Sequence, residues 1–275
     1  MSGPGGGSVS GPRDGSVDGL PGSRLRVTVD DTTGHPALDT AISRVLLERV
    51  DRGELPATLR LSRPSSIVAF SSRDARTPGF EAAAAASAAE GFTPVLRLAG
   101  GRPAVFTPTT IAFSWSVPAA VPSSGIVDRF TTLSTCLAAA FAALGVDARV
   151  GEVEGEYCPG EYSVNVAGRR KVAGVGQRLL RRAAHTGGVV VVDGADSINR
   201  VLLPVYAAMD VRFDPAATGS LTDHALLTYE QVRSAIVDAF AERFEVEPWT
   251  LDEHTLALAR RAAPEHIVAS AAVAS

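Results

Sequence analysis

Cysteine is nearly absent from this 275-residue chain, which holds only Cys136 and Cys158. Two cysteines build no disulfide framework, and their spacing fits no zinc motif. Aromatic residues are scarce, at 6%. No continuous apolar run approaches the ~18 residues of a membrane span. The first 23 residues contain no apolar stretch of the kind a signal peptide needs. An excess of positive charge is missing too: the formal net charge is −4, which argues against general binding to a phosphate backbone. These absences leave a globular protein, expected in the cytoplasm, with no membrane, metal or nucleic-acid role.

What is present is ample core material, with 45% hydrophobic residues. Residues 1–23, "MSGPGGGSVSGPRDGSVDGLPGS", bury too little surface to offset ordering and are expected to be disordered. Residues 24–275 are expected to form one domain with no accessory C-terminal domain. "RLRVTVD" alternates like a half-buried strand. Ala37, Ala41, Val45 and Leu46 recur at helical spacing, with Gly53 as a stop. "ATLRLSRP" and "SIVAF" read as strands, and "PGFEAAAAASAAEG" as a helix. A strand, a glycine turn and a short strand follow in "TPVLRLAGGRPAVF", and then the strand "TIAFSWSV". Ile126, Phe130, Leu133, Leu137, Phe141 and Leu144 mark a helix over 125–144. "YSVNVAGRRKVAGVGQRLL" predicts a hairpin turning at Ala167–Gly168. "AHTGGVVVVDG" predicts an interior strand, followed by helices around 195–207 and 228–244. The alternation implies an α/β fold: a mixed sheet with helices packed on it.

Three features carry chemistry. The turn "RLAGGRP" places Gly100 and Gly101 between Arg97 and Arg102. Consecutive glycines allow close backbone approach and can turn N–H groups toward an anion or a carbonyl. Lys171, in "GRRKVAGVGQR", lies in a run of small residues that leaves room for a ligand. Simple alternation puts it on one strand face with Ala173 and Val175, opposite Val172, Gly174 and Gly176. Its neighbours Arg169, Arg170, Arg181 and Arg182 read as solvated. Cys158 stands 13 residues before Lys171 in a Gly/Pro-containing loop, where nearby cations would lower a thiol's pKa and favour the nucleophilic thiolate. His185, in "AHTGG", is a candidate orienting group or base, and Cys136 reads as core.

Together these segments resemble the lipoate–protein ligase and octanoyltransferase family, related to biotin protein ligases. "VLRLAGGRPAVF" resembles its RR-x-T-G-G-[GR]-A-V turn. "GRRKVAGVGQRLLRRAAHTGGVVVV" is similar to its G-[RK]-K-[IV]-x-G-x-[AS]-Q segment and the histidine–glycine strand after it. "PALDTAISRVLL" looks like its N-terminal helix. The resemblance implies a biotin/lipoate protein ligase-like fold of the class II synthetase type. It also implies an acyl pocket lined by Arg97, Gly100, Gly101, Arg102, Gly174, His185 and Gly187, with Lys171 at the acyl carbonyl. Departures fall at Leu96, Ala99, Pro103, at Phe106 or Thr107, and in the reduced "AHTGG". The implied activity is attachment of octanoyl or lipoyl groups to a lysine of a lipoyl carrier domain, on a 2-oxoacid dehydrogenase E2 or the glycine cleavage H protein. The favoured route takes octanoyl from acyl carrier protein through a Cys158 thioester, with no tightly bound cofactor. The alternatives are an ATP/Mg- and lipoate-using ligase acting through an acyl-adenylate, and a non-catalytic acyl-binding paralogue.

Overall fold

The computed structural model describes residues 22–31 and 35–268, so the expected disordered tail falls almost wholly outside the described residues. Eleven strands and six α-helices are found among these residues. The strands are β1 (Arg24–Asp30), β2 (Thr58–Ser62), β3 (Ile67–Phe70), β4 (Thr93–Leu96), β5 (Ala104–Phe106), β6 (Thr110–Pro118), β7 (Ala148–Val150), β8 (Val164–Val166), β9 (Arg170–Leu179), β10 (Ala183–Val191) and β11 (Glu245–Pro248). The helices are α1 (Leu38–Asp51), α2 (Phe80–Ala89), α3 (Ile126–Ala143), α4 (Ala195–Ala208), α5 (Tyr229–Ala241) and α6 (Glu253–Ala262).

Eight strands form a mixed sheet in the order β11-β1-β2-β6-β10-β9-β8-β7, and β4-β3-β5 make a second, small sheet. Alternation along β6 and β10 separates two interiors. Ile111, Phe113, Trp115, Ala184 and Val190 join Leu133, Leu137 and Phe141 of α3 and Ile236 and Phe240 of α5 in the main core. The opposite face meets α1 and α6, where Ala183 packs among Ile42, Leu46 and Ala259. Helix α3 is long and apolar enough to cross a membrane by length and composition alone, yet Leu133, Cys136, Leu137 and Phe141 are spent in this core. The small sheet packs against α2 and α4 through Val68, Phe70, Ala83, Val201 and Val205.

The segment after Phe244 carries more order than the sequence suggested. β11 pairs in parallel with β1, and Asp252 caps α6 by accepting from the Thr255 N–H. The expected hairpin turn is present, with Ala167 and Gly168 both at positive φ, 55° and 73°, as a two-residue turn of matching twist requires.

One local prediction fails. Asn165 opposes Lys171, but Val164 opposes Ala173, so β9 holds one extra residue in a bulge at Val172. A bulge reverses the phase of alternation beyond it. Lys171 therefore shares a face with Gly174 rather than with Ala173 and Val175, and a Cβ at Gly174 would lie 3.2 Å from Lys171 Cε. Opposite, β10 comes so close to β9 that a Cβ at Gly188 would stand 1.8 Å from the Gly174 carbonyl oxygen. Backbone cannot swing aside as a side chain can, so Gly188→Ala should cost about 3 kcal/mol. Thermal melts should show a fall in Tm of roughly 6–12 °C.

Candidate active site

Between the small sheet, the cysteine loop and the β9–β10 hairpin lies a cavity of about 500 Å³, within the range of small-molecule sites. Its floor is glycine: Gly174 and Gly176 of β9, and Gly187 of β10 directly opposite Gly176. Such a floor lets a slender ligand lie against backbone. Phe106, Ile126 and Phe130 supply apolar wall, and the Phe130 ring stacks on Tyr162 at 4.8 Å between centroids.

Cys158 sits on a segment without regular structure and holds φ 44°, a left-handed conformation that is strained for a residue bearing a Cβ. The Tyr206 hydroxyl accepts from the Cys158 N–H at 2.9 Å and donates to the Pro103 carbonyl at 3.0 Å, joining this loop to the glycine turn. Within the turn, Arg97 Nη2 donates to the carbonyls of Gly100 and Arg102, both at 2.7 Å. Gly101 adopts φ 97°, and a Cβ there would meet both Arg97 Nη2 and Cys158 Sγ at 2.8 Å. The turn thereby directs the Arg102 N–H onto Cys158 Sγ at 3.2 Å, with Arg97 Nη2 3.7 Å from the same sulfur. Burial by itself would push the Cys158 thiol up. The charges of Arg97 and Lys171, together with hydrogen bonds from Arg97 and the Arg102 N–H, outweigh it and leave the thiol below its ordinary value. At Cys136 burial outweighs the charge of Arg243 and raises the thiol to about 11.

Lys171 is 1% exposed and is the only lysine in the chain. An ammonium has three protons to donate, and all three have acceptors here: the Cys158 carbonyl at 2.7 Å, the Tyr157 carbonyl at 2.9 Å and Glu156 Oε1 at 3.2 Å. The resemblance placed this ammonium at a bound acyl carbonyl; the contacts seen here are all with the cysteine loop. In this state the ammonium holds the backbone of the cysteine itself. His185 lies farther along the floor, with Nδ1 3.1 Å from Ser114 Oγ. Its Nε2 would be 2.5 Å from a Cβ at Gly187. Burial pulls the imidazole down to about 4, so it stays neutral at ordinary pH. At the α1 side, Asp39 lines the cavity and receives Arg60 Nη1 at 2.8 Å, and Arg60 also reaches Asp30.

Of the residues singled out from sequence, Arg97, Gly100, Gly101, Cys158, Lys171, Gly174, His185 and Gly187 all line this one cavity. Arg102 differs: its backbone N–H, not its side chain, faces the sulfur. Arg169, Arg170, Arg181 and Arg182 are exposed, as expected. Sequence reading overlooked Glu156, Tyr206 and the Asp39–Arg60 pair. One available signal was passed over, the presence of a single lysine among 26 basic residues.

The fold and site together define an α/β domain with a glycine-floored, largely apolar cavity beside an ionisable thiol. More particularly, the chain belongs to the lipoyl protein ligase A/B catalytic domain family, whose model matches residues 35–241. It is 29% identical over 167 residues to an octanoyl-[GcvH]:protein N-octanoyltransferase of Geobacillus kaustophilus, a match covering 59% of this chain and 57% of that protein. A lipoyl-[GcvH]:protein N-lipoyltransferase of Listeria monocytogenes is 25% identical over 211 residues, 71% of this chain and 75% of the relative. Among solved structures, a lipoate protein ligase from T. acidophilum with bound lipoic acid superposes with a TM-score of 0.69. That alignment has 19% identity over 89% of this chain and 95% of the other, a likeness of fold.

The buried neutral His185 gives a pH test. Its folded pKa lies below the ordinary value of 6.5, so its contribution is complete above that pH and is lost as pH falls toward 4. The loss should reach up to ~3 kcal/mol. Urea unfolding from pH 7 to pH 4 should show a shallower decline for His185→Asn than for the wild type.

Proposed function

We propose that this protein is an acyltransferase of protein lipoylation, moving an octanoyl or lipoyl group onto the lysine of a lipoyl carrier domain through a thioester on Cys158. The observation that carries this reading is the thiol itself, held by the Arg102 N–H and Arg97 at the edge of an apolar, glycine-floored cavity. The names of the relatives favour an acylated glycine cleavage H protein as donor, ahead of the acyl carrier protein expected from sequence.

The chemistry balances in two steps. Cys158 sulfur bonds to the acyl carbon, the carbon–nitrogen bond to the donor lysine breaks, and the leaving amine takes a proton. The acceptor lysine's amine then bonds to that carbon, the carbon–sulfur bond breaks, and a proton returns to sulfur. The Arg102 N–H and the charges of Arg97 and Lys171 face the negative charge that develops near the sulfur. A second reading, an ATP-dependent ligase, draws on the fold shared with a lipoate ligase. It is the weaker one, because both cations lining the cavity are already engaged by protein groups.

The test presents a lipoyl domain with octanoyl-H protein, octanoyl-acyl carrier protein, or ATP plus octanoate or lipoate, and follows intact mass. Octanoyl-H protein should acylate the domain without ATP, and the enzyme should show a hydroxylamine-labile adduct. Cys158→Ala should remove the adduct and slow transfer by roughly 10³-fold or more. Transfer at an unchanged rate in Cys158→Ala, or transfer only with ATP, would sink the thioester route.

A further inference from the structure

Glu156 belongs to no part of the expected constellation, yet its side chain is completely buried. Oε1 accepts from Ser163 Oγ at 2.6 Å, the Gly160 N–H at 2.9 Å and Lys171 Nζ at 3.2 Å, while Oε2 accepts from the Val153 N–H at 3.2 Å. These partners enclose the cysteine loop on both sides of Cys158. A carboxylate buried with this many donors is a fixed point, because each lost bond would leave a desolvated polar group. The same carboxylate takes one proton of Lys171, and the other two fall on the carbonyls of Tyr157 and Cys158. The strained Cys158 backbone thus rests on an ammonium that itself rests on Glu156.

We propose that Glu156 is the positioning residue of this site, holding the thiol in its reacting place through Lys171 while tempering the lysine's pull on the thiolate. The inference rests on the acyltransferase reading for its kinetic consequence only. Two effects of removing the charge then oppose one another. Without the neighbouring carboxylate, the Lys171 charge acts unopposed on the sulfur and the thiol ionises more readily. Without the fixed point, the loop loses its anchor and the sulfur its alignment, so transfer slows although more thiolate is present. Neither plain unfolding nor a purely electrostatic role gives this combination.

The experiment measures Cys158 alkylation by iodoacetamide against pH, together with transfer kinetics, in full-length Glu156→Gln and Glu156→Asp. Because the chain has one lysine, isotope-labelled lysine gives a single side-chain resonance that reports whether the ammonium stays charged. For Glu156→Gln, the alkylation midpoint should fall by roughly half a pH unit or more, with kcat at least ~10-fold lower and little change in donor KM. Glu156→Asp keeps the charge but shortens the reach, so its midpoint should match wild type while kcat still falls. If Glu156→Gln does not fold, Glu156→Asp carries the test. An unchanged or raised midpoint in Glu156→Gln, or wild-type kcat in either variant, overturns the proposal. Failure of the acyltransferase reading would show separately, as wild-type protein without turnover on any donor, and the alkylation profiles would still judge the clamp.

Discussion

A lysine ammonium removed from water must find a full set of acceptors or lose its proton, since an unpaired buried charge is among the costliest features a fold can hold. Lys171 meets that demand with one carboxylate and two carbonyls, and all three acceptors lie on the segment that carries Cys158. That segment, from Gly151 to Ser163, has neither helix nor strand to fix it. Its conformation depends on Lys171 from below, on the Tyr206 hydroxyl from the side and on Glu156 from within. The lysine in turn is placed by the bulge at Val172, which turns its side chain toward the cavity. A single irregularity in one strand thereby decides where the Cys158 thiol sits.

The electrostatics follow from the same geometry. Arg97 completes the glycine turn by holding the carbonyls of Gly100 and Arg102, and so exposes the Arg102 N–H to the sulfur. Two cations and one N–H dipole therefore converge on a thiol that burial alone would keep protonated. The left-handed backbone at Cys158 is an expense borne by these surrounding bonds, as a residue held in a sparsely populated conformation requires. Replacing Gly101 with any larger residue would press on both Arg97 and the sulfur at 2.8 Å. The glycine matters here as much for space as for its positive φ.

Most of the fold could be read from the sequence, because long stripes such as Leu133, Leu137 and Phe141 and alternating runs such as Ile111, Phe113 and Trp115 report burial directly. β11 escaped notice because a four-residue strand of Glu, Val, Glu and Pro has hardly any periodicity. The residues of the site were legible through composition and spacing, whereas their relations were not. Strict alternation assigned Lys171 to the wrong neighbours, since one inserted residue reverses the phase and leaves no mark in the pattern. Glu156 looked like one more acid in "GEVEGEYCPGEY", among Glu152, Glu154 and Glu161, which are exposed. Only the closing of the loop over β9 separates it from them.

A depressed thiol also bears on the direction of the proposed reaction. Moving an acyl group between two lysine amides leaves the overall bond types unchanged, while the thioester between them is the less stable link. Entry to that intermediate is the demanding step, and it gains from a thiol that ionises more readily and from the Arg102 N–H and the cations that face the sulfur. Exit gains for a different reason, since a thiol of lower pKa leaves more readily when the acceptor amine attacks. A lower pKa also weakens the sulfur as a nucleophile, so there is a limit beyond which further cations would slow entry. Glu156 beside Lys171 opposes the cations' pull, and the site accordingly combines a buried cation, a counter-charge and a single N–H rather than a cluster of bare positive groups.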